Sequence, residues 1–151
     1  MGEAAPAGIR PALAKSSRPL KMATFLLDTS VIIDALNNKR NRPAMLLELL
    51  EAGHILGCCP INVTEVYAGM RPREEAATVA LIASLQYYPI NLAAASLAGD
   101  FKREHGRKGI TLNLGDVIIA AVAIQNQLTL LTDNIKDFPM KDLSLSSFPK
   151  G

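Results

Sequence analysis

Apolar residues along this chain fall into short runs and helix-spaced stripes, separated by polar breaks. The run Thr24-Phe25-Leu26-Leu27 suits a buried strand and stops at Asp28. Thr29 and Ser30 are good N-cap residues for a helix through Val31, Ile32, Ile33, Ala35 and Leu36, which Asn37-Asn38 ends. A second helix is expected after Pro43, with Met45, Leu46, Leu49 and Leu50 on one face and Gly53 at its end. Ile55-Leu56-Gly57-Cys58 reads as a second strand. Pro60 then opens a third helix carrying Val63, Glu65, Val66 and Tyr67, which ends near Gly69.

Two further helices are expected over 72–85 and 92–105, separated by a short strand, Tyr87-Tyr88-Pro89-Ile90. After a Lys-, Arg- and Gly-containing loop at 106–109, Asp116 heads a very apolar helix over 117–124. Leu128-Thr129-Leu130-Leu131-Thr132 is the next strand, followed by the turn pair Asp133-Asn134, and Leu143-Ser144-Leu145 is a final edge strand. Strands that alternate with helices predict an α/β fold, a central parallel sheet with helices on both faces. In such sheets reactive groups collect at the carboxyl ends of the strands. Asp28 follows the first strand and Asp133 follows the fourth.

Composition adds bounds to this picture. A chain of 151 residues, 49% apolar, supports one folded domain with its own core. Trp is absent and aromatics make up 5%, so that core rests on Leu, Ile, Val and Ala. No apolar run is long enough to span a bilayer, and the chain reads as a protein of the aqueous phase with no membrane partner. Of the net charge of +2, residues 1–21 hold +3 through Arg10, Lys15, Arg18 and Lys21 against Glu3, which leaves −1 for the body. Those first residues, rich in Ala, Pro and Ser, are expected to be a flexible basic extension ahead of a domain over 22–151. A near-neutral body binds nucleic acid only through local patches or through cations that invert the sign of an acidic pocket. The adjacent Cys58 and Cys59 do not suit a disulfide with each other, which favours a reducing, cytoplasmic setting. His54 and His105 lack zinc-ligand spacing and read as ordinary structural residues.

The informative residues are acids in apolar surroundings. Asp28 lies between Leu26-Leu27 and Val31-Ile32-Ile33, Glu65 lies within 63–67, and Asp116 precedes Val117-Ile118-Ile119. Burying an unpaired carboxylate is unfavourable, and three together repel one another. A hard divalent cation such as Mg²⁺ or Mn²⁺ resolves that repulsion. Each acid also has a plainer reading. Asp28 suits a helix cap, Asn62 and Glu65 match a capping box, and Asp116 suits the first turn of a helix.

The order of these segments resembles the PIN-domain nucleases. Leu27-Asp28-Thr29-Ser30-Val31-Ile32-Ile33-Asp34 resembles the family's first motif, and Asn62-Val63-Thr64-Glu65-Val66-Tyr67-Ala68-Gly69 its second. Leu114-Gly115-Asp116-Val117-Ile118-Ile119-Ala120 resembles the third, and Leu130-Leu131-Thr132-Asp133-Asn134-Ile135-Lys136-Asp137-Phe138 the fourth. The likeness covers about residues 23–148, and size and order are close to the VapC-type toxins of bacterial toxin–antitoxin modules.

That resemblance implies a PIN-like α/β/α sandwich with a mainly parallel sheet of four to five strands. It also implies a Mg²⁺- or Mn²⁺-dependent endoribonuclease that cleaves with an activated water to leave a 5′-phosphate and a 3′-hydroxyl. Asp28, Glu65 and Asp116 take the acidic positions as metal ligands and catalytic groups, supported by Ser30 and Thr132. For the fourth acid, Asp133 is the expected contributor, with Asn134 and Asp137 as supporting candidates.

Lys102, Arg103, Arg107 and Lys108 are candidate RNA-phosphate contacts, and Arg71 with Arg73 a second pair. The resemblance further implies a small antitoxin partner and self-association as a homodimer or higher assembly. The helices at 43–50 and 76–85 offer apolar surface for such partners. A PIN nuclease of RNA processing, and a PIN module that binds without cutting, remain the alternative readings.

Overall fold

The computed structural model describes residues 22–148; the extension expected over 1–21 lies outside the described residues. Five strands form one sheet: β1 (Thr24–Leu27), β2 (Ile55–Cys58), β3 (Gln86–Tyr87), β4 (Thr129–Leu131) and β5 (Ser144–Ser146). Their spatial order is β3-β2-β1-β4-β5, and every neighbouring pair is parallel. The α/β architecture expected from the alternation of runs is present. Six helices connect the strands: α1 (Thr29–Leu36), α2 (Arg42–Glu51), α3 (Pro60–Ala68), α4 (Glu75–Ala83), α5 (Leu92–Arg107) and α6 (Leu114–Gln125).

The central strands are apolar throughout because both of their faces are covered. Leu26 and Leu130, opposite each other in the β1–β4 register, join one core cluster with α5 and α6. Leu27 and Leu131, the next pair, join the other cluster with Val31, Ile32, Leu46 and Val66. On the first side, the buried alanines Ala94, Ala98, Ala120, Ala121 and Ala123 bring small side chains to the core. The scarcity of aromatics in the sequence therefore corresponds to a core of short aliphatic side chains.

Chain order builds outward from β1 in one direction through β2 and β3, then returns to its other side for β4 and β5. The switch falls between β1 and β4. In open parallel sheets, the crevice beyond the strand ends at this point is where ligands bind. Asp28 and Thr132, the residues directly after β1 and β4, sit there.

Several boundaries differ from the sequence expectation, each for a local reason. Asp28, not Thr29 or Ser30, is the N-cap of α1, because its carboxylate accepts from the Thr29 backbone N–H. The expected helix over 72–85 starts as a 3₁₀ turn, Pro72–Glu74, before α4 begins. β3 is shorter and earlier than expected, since Pro89 lacks the backbone donor needed to extend a ladder. The last helix begins at Leu114, with Asn113 as its cap, which places Asp116 inside the first turn.

Gly57 in β2 is a position where any side chain meets a wall. A Cβ there would lie 2.7 Å from Cε2 of Tyr88 and 3.1 Å from the Gln86 carbonyl oxygen. Gly57→Ala is expected to destabilise the fold by about 1–3 kcal/mol through overpacking. Urea unfolding reads this directly, and a wild-type midpoint in the variant would show that the β2–β3 junction yields freely.

Candidate active site

Asp28 is the residue on which the site is built. Its backbone N–H donates to the Leu131 carbonyl at 3.0 Å, tying the residue after β1 to the last residue of β4. Its Oδ1 accepts from the Thr29 N–H at 2.9 Å, and its Oδ2 accepts from the Thr132 hydroxyl at 2.6 Å. The side chain is only 6% exposed. Burial pushes its pKa up. The hydrogen bonds from Thr132 and Thr29 oppose that shift, and the charges of Glu65 and Asp137 add to it.

Three other acids share this field. Glu65 projects from α3, and its Oε1 accepts from the Thr29 hydroxyl at 2.6 Å. Asp116 sits in the first turn of α6, where Oδ1 of Asn113 accepts from the N–H groups of Gly115 (2.8 Å) and Asp116 (3.3 Å). Burial, followed by the charges of Asp28, Asp137 and Glu65, raises the Asp116 carboxyl to about 6. Asp137 ends the 3₁₀ turn Ile135–Asp137 after β4 and contributes to the field at both Asp28 and Asp116. Four elements therefore bring four carboxylates to the switch point.

Asp133 stands elsewhere than the sequence reading placed it. Both of its oxygens accept from Nη2 of Arg42 at 2.8 Å, and Nη1 of Arg40 lies 3.7 Å away. Arg42 is itself buried, 3.9 Å over the ring of Phe148. A carboxylate held in this way by a buried guanidinium is a structural ion pair. Asp137, which the sequence reading held as a support, is the acid of this segment whose charge acts on Asp28 and Asp116.

The remaining candidates separate similarly. Thr132 is fully buried, donates to Asp28 and accepts from the Asn134 N–H at 2.9 Å. The Ser30 hydroxyl is buried without a hydrogen-bond partner. Glu65 does not reach back to cap α3; Asn62 does, its Oδ1 accepting from the Cys59 N–H at 2.9 Å. Asn62 bonds to Thr29, and Thr29 in turn bonds to Glu65 and Asp28, roles that the sequence reading missed. Their one visible signal was position: Thr29 adjoins Asp28, and Asn62 lies one turn before Glu65.

Among the basic candidates, Nζ of Lys102 donates to the Leu112 carbonyl at 2.6 Å, and Arg103 pairs with Asp100 at 2.9 Å. Arg107 and Lys108, at the end of α5, make no ion pair among the described residues. His54 and His105 have structural contacts, with the Ala23 N–H and the Phe101 carbonyl respectively.

The donor set fits a hard divalent cation. All four groups are carboxylates, they repel one another, and a buried hydroxyl without a partner lies next to the Asp28–Thr29 cap. Among the described residues, no three acidic, His or Cys side chains already converge on one point.

An open parallel α/β sheet with an acidic cluster around the buried Asp28 at its switch point defines the class of domain. The chain belongs to the PIN domain family, whose model matches residues 25–140. It is 32% identical over 116 residues to Ribonuclease VapC10 of Mycobacterium tuberculosis, covering 77% of this chain and 86% of that protein. It is 29% identical over 115 residues to Ribonuclease VapC19 of the same species, covering 76% and 92%. Among solved structures, VapBC2 from Rickettsia felis bound to a promoter DNA fragment matches with a TM-score of 0.74 at 22% identity, covering 83% of this chain and 99% of that one. DNA-bound VapBC from Salmonella typhimurium gives 0.72 at 23%, covering 83% and 98%.

The two kinds of acid respond oppositely to removal. Asp116 binds its proton more tightly folded than unfolded, its pKa rising from 3.8 to about 6, so stability falls as pH rises across that window. Asp116→Asn is therefore expected to raise the melting temperature of the metal-free protein at pH 7.5, with the gain vanishing as pH is lowered through 6 toward 4. A gain independent of pH would contradict this origin. Asp133→Ala instead strands the buried Arg42 and is expected to destabilise by roughly 3–5 kcal/mol. Chemical denaturation at pH 7.5 separates the two signs.

Proposed function

We propose that this chain is a Mg²⁺- or Mn²⁺-dependent endoribonuclease, the toxin of a VapC-type toxin–antitoxin pair. The observation that carries the reading is the grouping of Asp28, Glu65, Asp116 and Asp137 around the β1–β4 switch point, where burial first and then neighbouring charge raise Asp116 to about 6. Relatives named ribonucleases across most of the chain support RNA as the substrate.

Asp28, Glu65, Asp116 and Asp137 would hold the cation, with Ser30, Thr132 and Asn134 beside them. When bound, such a cation supplies positive charge for phosphate oxygens and acidifies a water for attack. The chain's own residues do the rest. Thr132 and the Thr29 N–H each hold one oxygen of Asp28, which fixes the carboxylate plane before any ligand arrives. Thr29 holds one oxygen of Glu65 in the same way. Neither histidine is needed as a proton carrier, since both are committed to backbone contacts. Arg107 and Lys108 have charges left for RNA phosphates.

An antitoxin partner is supported by the solved relatives, which are VapBC complexes. A groove of about 360 Å³ between α1, α3 and α4 offers it a surface. Ile33, Leu36, Val66, Met70 and Ala77 line the groove, with Arg71 and Arg73 among its polar residues. The exposed Leu47 and Leu50 on α2 offer apolar area for a second copy. A cytoplasmic site of action belongs to the same reading, and no helix among the described residues is long and apolar enough to cross a membrane.

RNA cleavage by the purified chain is expected to require Mg²⁺ or Mn²⁺ and to stop in EDTA. Asp28→Asn, Asp116→Asn and Asp137→Asn are expected to lose more activity than the roughly 10–100-fold typical of outer-shell changes. Cleavage that persists in EDTA would sink the proposal. Full activity in Asp137→Asn would remove that residue from the ligand set.

A further inference from the structure

Asn62 is fully buried, yet its role as the cap of α3 uses only half of its amide. The other half leads into the site. We propose that Asn62 and Thr29 form a directional hydrogen-bond relay that fixes the Glu65 carboxylate, making both of them positioning residues for the cleavage reaction. The inference rests on the nuclease reading for its consequence, and on hydrogen-bond geometry alone for its existence.

The direction of every proton in the relay follows from its first member. The backbone N–H of Cys59 can only donate, so the Asn62 atom 2.9 Å from it must be the carbonyl oxygen, Oδ1. That leaves the NH₂ group facing Thr29, 3.0 Å from its Oγ1. An amide NH₂ has no acceptor capacity, so Thr29 accepts there and its single hydroxyl proton is left for Glu65. Oε1 of Glu65 receives it at 2.6 Å, the range of a charge-assisted O–H···O⁻ bond. No member of the chain can flip without breaking a bond elsewhere.

The consequence lies at the other oxygen. With Oε1 engaged, Oε2 of Glu65 is left without a hydrogen-bond donor among the described residues, and it points toward the start of α6. It lies 3.5 Å from where a Cβ on residue 115 would stand, and glycine there keeps the space open beside Asp116. A glutamate has three side-chain torsions, and a free one samples many rotamers before it meets a ligand. The relay removes much of that freedom in advance, so that less ordering accompanies binding. A capping role alone explains Oδ1 of Asn62, but not why its NH₂ meets a hydroxyl that in turn meets an acid.

Thr29→Val removes the hydroxyl at nearly constant volume, and Thr29→Ser retains it; Thr29→Ala serves if the valine variant folds poorly. Side-chain three-bond couplings of Glu65, measured by NMR on the full metal-free chain, report its rotamer. Titration calorimetry with Mg²⁺ and RNA cleavage rates report the consequence. Wild type and Thr29→Ser are expected to hold one Glu65 rotamer, whereas Thr29→Val gives averaged couplings at a similar melting temperature. Mg²⁺ affinity and kcat are expected to fall about 10–100-fold in Thr29→Val and to stay within about twofold in Thr29→Ser. A single Glu65 rotamer with wild-type Mg²⁺ affinity in Thr29→Val would overturn the relay, as would equal losses in the serine and valine variants. If wild type neither binds Mg²⁺ nor cleaves RNA, the nuclease reading fails, and the rotamer measurement still decides the relay.

Discussion

Mutual repulsion among carboxylates is the constraint around which this domain is arranged. Asp28, Glu65, Asp116 and Asp137 come from four separate elements, and the charges of Glu65 and Asp137 add to burial in making Asp28 and Asp116 harder to ionise. The fold meets this with directed donors rather than with basic side chains. Thr132 and the Thr29 N–H hold Asp28, and the Thr29 hydroxyl holds Glu65. None of these donors carries a charge, so each fixes an oxygen without neutralising the pocket. Negative potential is retained for a ligand of opposite sign.

A few ångströms of chain separate this treatment from its opposite. Asp133 and Asp137 belong to the same segment after β4, yet Asp133 is clamped by Arg42 while Asp137 adds to the field at Asp28 and Asp116. The 3₁₀ turn Ile135–Asp137 lies between Asp133 and the end of this segment, with Asp137 as its last residue. One carboxylate serves the architecture and the other the pocket.

Much of this was legible from sequence, and the failures have a common cause. Runs such as Thr24-Phe25-Leu26-Leu27 and Leu128-Thr129-Leu130-Leu131 announced buried strands because both faces of a central parallel strand are apolar. Asp28 and Asp116 stood out as acids set directly against apolar runs. Asp133 was the expected fourth acid, and its pairing with Arg42, 91 residues away in the chain, is a contact that no local pattern announces. Thr29 and Asn62 were read as caps for the same reason. Their local chemistry suits a helix end, and only the packing of α1 beside α3 shows that they also face each other. Short-range signals reached the elements and the main acids, whereas long-range polar pairing stayed out of reach.

Arg42 also has a mechanical aspect. Its guanidinium holds Asp133 after β4, contacts the Arg40 carbonyl at 3.0 Å, and lies against the ring of Phe148 near the end of the described chain. β5 is a three-residue edge strand paired only with β4, the kind of element that ordinarily frays. Stacking Phe148 on a buried cation ties that edge to the start of α2, far away in sequence. The edge strand and the segment that carries Asp133 thus share a single anchor, so the sheet's margin is held by a contact that strand pairing alone does not supply.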